Sequence, residues 1–459
     1  MTSFFSPVSS RRQWLRTTAC GFGSLALADI LAGERAHASD TLPKPHHTPK
    51  AKRMIFVFLQ GSPSQVDTFD YKPRLQKDNG NLVSPGSGNP HKYLGSPWKF
   101  SQYGQAGHWI SELYPHVAKH ADKLCFLKSL TTDIPNHPQA VLQMHTGAFR
   151  FARPSFGSWL LYGLGTENKE LPGFLVLNPL IRVGGAQNYG NAFLPARYQA
   201  ARIGTEGQSI AKASLGYVRN PQWDGGEQRR QLDLLADLEK SRSGQTSNDA
   251  DLEGVIQSYE LGFRMQGSLP KLFDLSTESQ TTLDQYGVGK EATDDFGRQC
   301  LLARRAVESG VRFVEVTSTG WDHHRNLRRD MVRGTTAVDQ PVGALLGDLE
   351  KRGLLKDTLV LFGGEFGRQP IGQSDDGRDH QVDGFTMWMA GAGVKPGFTY
   401  GATDEFGQKV AENKIHIHDL NATLLHLLGL DHEKLTYRYS GRDFRLTDVF
   451  GKVIDEIIA

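Results

Sequence analysis

Met54-Ile55-Phe56-Val57-Phe58-Leu59 is an unbroken apolar run that stops at Gln60-Gly61-Ser62-Pro63. A strand with one face in water alternates apolar and polar residues, so a run without alternation has both faces covered. Further candidate strands, apolar-rich but interrupted in places by polar residues, lie at 124–130, 175–177, 311–316, 358–362 and 385–390, and helical patterning at 294–309 and 341–352 separates several of them. This alternation predicts an α/β fold with a mostly parallel central sheet and helices on both faces. In such sheets chemistry gathers in the loops at the carboxyl ends of the strands.

The stretch from about 200 to 290 reads differently. It is polar and charged, with helical patterns at 227–241 and 252–265 around the linker 242–247, and is expected to be a helical insertion on the core domain, 53–459. The Gly-, Ser-, Pro- and Asn-rich residues 79–108 read as surface loops.

Ser10-Arg11-Arg12-Gln13-Trp14-Leu15-Arg16 precedes a weakly apolar stretch, 17–32, and the small-residue pair Ala36 and Ala38. That order of charge, apolar segment and small residues resembles a removable twin-arginine signal, so residues 1–38 are expected to be cleaved and the protein to be periplasmic or extracellular. Residues 39–52, rich in Pro, His and Lys, read as a flexible lead-in. No apolar run in the remainder reaches membrane-spanning length.

Formal net charge is +2, and residues 1–38 account for it: four arginines against two acids leave 48 basic and 48 acidic residues in the rest. A neutral chain without basic runs argues against a nucleic-acid partner held through phosphates. Only Cys20, Cys125 and Cys300 occur, which excludes a disulfide scaffold or a Cys-based zinc site.

The strand-end loops carry the candidate chemistry. Asp67 and Asp70 follow the first strand, beside Ser64 and Thr68; Gly320-Trp321-Asp322-His323-His324 follows 311–316; Gly363-Gly364-Glu365-Phe366-Gly367-Arg368 follows 358–362; Gly377-Arg378-Asp379-His380 precedes 385–390. Carboxylate oxygens and imidazole nitrogens suit a divalent metal, and Arg368 and Arg378 suit the two-pronged grip of a phosphate or sulfate. Each motif alone also has a structural reading as turn, cap or ion pair.

Together the segments resemble a sulfatase core. The helix and strand of 339–349 and 357–367 are similar to those leading to the family's metal-binding acid; Ile417–Leu427 and the residues to Gly429 resemble its late helix. Gly441-Arg442-Asp443-Phe444 is similar to the closing segment, and 138–147 resembles the segment carrying the nucleophile. More closely, the chain is identified as a member of the sulfatase-like family called domain of unknown function 1501, within the alkaline phosphatase/sulfatase superfamily. Gly61–Asp70, Gly320–His324, Gly363–Arg368 and Gly377–His380 match its motifs, with Gln65 in place of a His.

The resemblance implies an exported, metal-dependent hydrolase of phosphate or sulfate esters, acting on a small-molecule or glycan ester. Asp67, Asp322, His323, Glu365 and His380 would hold a divalent metal, zinc or calcium, and Arg368 would steady the oxyanion. His137 falls at the nucleophile position by spacing, while a local Pro-Asn-His match puts Asp133 there; His137 is nucleophile or further ligand. The chain departs from the hydrolases in lacking the metal-binding Asp directly after the first strand and in having Phe366 for a ligand. These departures leave a second expectation, an exported binding or cell-surface protein that keeps the fold without turnover.

Overall fold

Every residue from Met54 to Leu59 is buried, so the apolar run becomes an interior strand with a covered face on each side. In this computed structural model the described residues are 43–83, 91–213, 223–243, 250–374 and 376–459. The export segment read at 1–38 and most of the linker 242–247 lie outside them.

The strands that build the site are, in chain order, β1 (Arg53–Leu59), β2 (Leu124–Thr131), β3 (Phe174–Leu177), β4 (Ala201–Ile203), β5 (Phe313–Ser318) and β6 (Thr358–Gly363). They are followed by the hairpin β7 (Gly367–Ser374) and β8 (Gly377–Gln381), then β9 (Phe385–Gly391), β10 (Phe398–Tyr400) and β11 (Ile415–His416). The central sheet has the order β10-β2-β9-β6-β1-β5-β3-β4, with β11 also pairing β2. Only β9 runs against its neighbours β2 and β6; every other pairing in this sheet is parallel.

The main helices are α1 (His137–Thr146), α2 (Phe156–Leu164), α3 (Gly225–Ser243), α4 (Ala250–Phe273), α5 (Asp294–Glu308), α6 (Leu327–Lys351) and α7 (Ile417–Leu427). The period-two direction of β1 sorts the core into two layers. Ile55, Val57 and Leu59 join Leu301 of α5 and Leu345 of α6 on one face. Met54, Phe56 and Phe58 join Val141 of α1, Trp159 of α2 and Leu424 of α7 on the other. Burying the large side chains of β1 alone contributes on the order of 10 kcal/mol. No single polar contact matches that, so the sheet dictates where the strand-end loops meet.

The described residues differ from the expected elements in four places. α6 begins at Leu327 instead of near Pro341, because the helix runs through that proline despite the missing N–H. A hairpin forms at Phe100–Tyr103 and His108–Ser111, where loops were expected, and β7–β8 forms a second. The residues before β1 are docked, with the Lys50 and Ala51 amides donating to Leu427 O at 2.9 and 2.8 Å. No helix among the described residues is long and apolar enough to cross a membrane.

Candidate metal centre

Parallel pairing aligns the strand ends. Leu59 lies opposite Ser318 and Phe58 opposite Gly363, so the loops after β1, β5 and β6 open on one edge. Because β9 is antiparallel to both β2 and β6, β2 points the same way and delivers residues 132–137 to that edge.

Small residues let these loops touch. Gly61 has φ +101°, and a Cβ there would stand 2.5 Å from the Asp322 amide nitrogen. The next residue, Ser62, is also left-handed at φ 61°, a conformation that strains a residue with a Cβ. Its hydroxyl offsets that strain by donating to Glu365 Oε2 at 3.1 Å and accepting from the Phe366 amide at 3.1 Å. Trp321 fills the space beneath the β5 loop: it is buried and its Nε1 donates to Ser318 Oγ at 3.1 Å.

The loops bring His137, Asp322, His324 and His380 together, with one ligand atom from each lying within 4.8 Å of all the others, a group able to hold a metal ion. Asp322 Oδ1 is the centre. His324 Nε2 is 2.9 Å from it, His137 Nε2 3.1 Å and His380 Nε2 3.3 Å. Arg368 Nη2 donates to the same oxygen at 2.7 Å.

Each imidazole is held from behind. His137 Nδ1 donates to Glu365 Oε1 at 2.6 Å, His380 Nδ1 to Pro135 O at 2.8 Å, and His324 Nδ1 to the Gln373 side-chain oxygen. Phe366 packs against the rings of His137 and His380, with centroids 4.7 and 4.6 Å apart. Glu365 is fully buried and also accepts from the Gly61 amide at 2.9 Å.

The charges follow from these contacts. Burial raises the Asp322 carboxyl, but hydrogen bonds from His137 and His380 and the Arg368 guanidinium outweigh it and hold the group well below the usual carboxylate range. Burial likewise opposes a proton on His137, yet Asp322 and Glu365 push its pKa up to about 9. His323 turns away into the protein, where burial and then Arg368 push it down to about 4.

Of the residues singled out by sequence, His137, Asp322 and His380 stand in the group and Glu365 reaches it through His137. Asp67 does not: it is fully buried in a two-pronged pair with Arg378, Nε to Oδ2 at 2.7 Å and Nη2 to Oδ1 at 3.0 Å. Arg378 is thereby engaged inside the protein. Arg368 is also fully buried, and besides Asp322 it bonds Gly61 O, Ser62 O at 3.3 Å and Arg378 O at 3.3 Å. It clamps three strand-end loops onto each other. Gln65 bonds both the amide and carbonyl of Arg368 at 2.8 Å, extending the first loop onto β7. Asp133, 46% exposed, pairs with His416 Nε2 at 3.1 Å and accepts from Gln143.

His324 was not singled out by sequence above its neighbour His323. Adjacent side chains diverge, and the local sequence is blind to which one points outward. The signal lies in the flanks: Gly320 and Asn326 are left-handed at φ 91° and 54°, and buried Trp321 fixes the loop between them.

Among solved structures, the chain is similar to the lipoteichoic acid synthase LtaP from Listeria monocytogenes at 8% identity, covering 87% of this chain and 76% of that one, with a TM-score of 0.39. It is similar to the PsFucS1 sulfatase from Pseudoalteromonas sp. at 13% identity, covering 90% and 72%, with a TM-score of 0.37. It is also similar to the alkaline phosphatase from the Antarctic bacterium TAB5 at 11% identity, covering 84% and 99%, with a TM-score of 0.36. No curated protein matches the chain. Residues 51–458, from just before the first strand almost to the last residue, match the family described as protein of unknown function (DUF1501), and the protein belongs to that family.

Proposed function

We propose that the protein is an exported metal-dependent hydrolase of phosphate or sulfate esters, with a zinc-type ion held by His137, Asp322, His324 and His380. The supporting observation is the orientation of the three imidazoles. Each gives its Nδ1 proton to an acceptor outside the group, so each Nε2 points at the same carboxylate oxygen and is the ring atom an incoming ion would take in exchange for any proton it carries. Outer partners that fix the tautomer and aim of a ring in this way are characteristic of metal-ligating histidines.

The donor set fits the ion. Three nitrogens and one oxygen match zinc, whereas calcium takes six to eight oxygens. Donors about 2.1 Å from a tetrahedral ion stand about 3.4 Å apart. The Nε2-to-Oδ1 separations of 2.9–3.3 Å need little opening to reach that. Bound there, the ion supplies Lewis acidity that polarises the ester oxygen. His137 is then a ligand oriented by Glu365, and Arg368 holds Asp322 charged and in place instead of gripping the substrate. Asp133, paired with His416 and Gln143 on the loop that delivers His137, is the carboxylate we assign to attack the ester or to take a proton from water.

Purified protein is expected to contain zinc without added metal and to cleave activated phosphate or sulfate esters, with a chelator abolishing turnover and zinc restoring it. Metal-free protein with no activity across a broad ester panel would instead support the non-catalytic binding reading.

Export is the other part of the proposal, and it rests on Arg11-Arg12 and the Ala36-His37-Ala38 site. Changing Arg11→Lys and Arg12→Lys together should leave the uncleaved chain in the cytoplasm. A variant found processed and outside the cytoplasm at the normal level rules out the twin-arginine route.

A further inference from the structure

The second core layer contains an ion pair that plays no part in the chemistry described above. His145, in the last turn of α1, places Nε2 3.2 Å from both carboxylate oxygens of Glu315, in the middle of β5. Their side chains are 4% and 0% exposed. The other ring nitrogen donates to Val141 O at 2.7 Å, so the imidazole is fully used. Phe58 and Tyr189 meet the ring edge-on, with centroids at 4.8 and 5.6 Å. Burial alone strips a proton from such a ring, but the charge and hydrogen bond of Glu315 outweigh it.

Stability does not account for this pair. Two buried charges lose their hydration, and well-packed apolar side chains of the same volume hold such a position equally well or better. What apolar packing lacks is direction: it tolerates small rotations and slips of a helix over a sheet, whereas a two-oxygen contact to one ring nitrogen does not. The connectivity shows where that direction matters. α1 starts at His137, and β5 runs directly into the loop that carries Asp322 and His324. The pair therefore joins two elements that deliver ligands to the centre, α1 with His137 and β5 with the loop of Asp322 and His324.

We propose that the His145–Glu315 pair is a positioning device for the metal centre, fixing α1 on β5 so that His137 Nε2 meets Asp322 and His324. It touches neither ion nor substrate; His145 lies eight steps along the helix from His137, about 12 Å along the axis. The inference rests on the metal-centre reading. The requirement is demanding because a metal tolerates donor distances within only about 0.2 Å.

The test measures zinc affinity by competition with a chelator, alongside the thermal midpoint of the zinc-free protein. The variants are His145→Gln, Glu315→Gln, and the paired His145→Met with Glu315→Leu, which keeps the core apolar if the single variants do not fold. Zinc binding is expected to weaken about 10- to 100-fold, the range seen when outer partners of ligands are removed. Leu346→Ala is the comparison: it creates a cavity in the other core layer, lowers the midpoint, and should leave zinc affinity within about twofold of the unmodified protein. If the paired variant, folded, binds zinc as tightly as the unmodified protein, the pair is structural only and the proposal is overturned. An unmodified protein that binds no zinc overturns the centre itself, and the positioning role with it.

Discussion

Asp322→Asn is expected to empty the metal centre while leaving the protein folded. Asp322 Oδ1 is the atom on which three imidazole nitrogens and Arg368 converge. The substitution keeps the shape and an oxygen able to accept from Arg368 Nη2, but it removes the negative charge that offsets an ion's own. Losing an outer partner of a ligand typically costs 10- to 100-fold in metal affinity, so losing the central charged ligand should exceed about 100-fold. Turnover of an activated ester should fall in step. Part of the change is visible without metal: one of the two carboxylates that raise His137 is gone, so the imidazole should shed its proton at lower pH. Zinc content by elemental analysis, read against an unchanged circular dichroism spectrum, decides the matter. Full zinc occupancy in the variant would mean that the ion sits elsewhere.

Much of the fold was legible because burial on both faces leaves a mark that needs no partner to read. β1, β3 and β6 are almost wholly apolar in the sequence and β2, β5 and β9 are apolar-rich, and each lies in the sheet close to its expected place. The β7–β8 hairpin left no such mark. Its residues are polar and include Pro370, and it is held by contacts from elsewhere, among them Gln65 on Arg368 and the Arg378 amide donating to His323 O at 3.0 Å. The first half of α6 was hidden by Pro341, which ordinarily ends a helix.

The site was legible as a vocabulary and not as a set of partners. Residue types at strand ends pointed to the edge where His137, Asp322 and His380 meet. Whether an acid there meets a metal or an arginine depends on contacts across hundreds of residues. Asp67 and Arg378 are 311 positions apart, and nothing local to Asp67 announces its partner. Phe366 is a similar case: as a missing ligand it counted against chemistry, whereas in the structure its ring supports two of the histidines.

Asp67→Ala is therefore expected to act on stability and not on metal. Both members of the Asp67–Arg378 pair are fully buried, and the Arg378 guanidinium also donates from Nη1 to Gln369 O at 3.1 Å. Removing the carboxylate leaves a guanidinium in the core without a counter-charge, and breaking a buried pair from one side costs about 3–5 kcal/mol. That is a large share of the 5–15 kcal/mol by which a domain is ordinarily stable. Replacing both partners, Asp67→Leu with Arg378→Met, removes the stranded charge and should recover most of the loss. Denaturant unfolding of the single and paired variants measures both effects. Zinc affinity measured below the unfolding transition should change far less than in Asp322→Asn, because Asp67 touches none of the four ligands. Some loosening of His380 is expected, since it follows Arg378 by two residues on β8. The opposite pattern, normal stability with zinc lost in Asp67→Ala, would return Asp67 to the ligand set and break the assignment of the centre to His137, Asp322, His324 and His380.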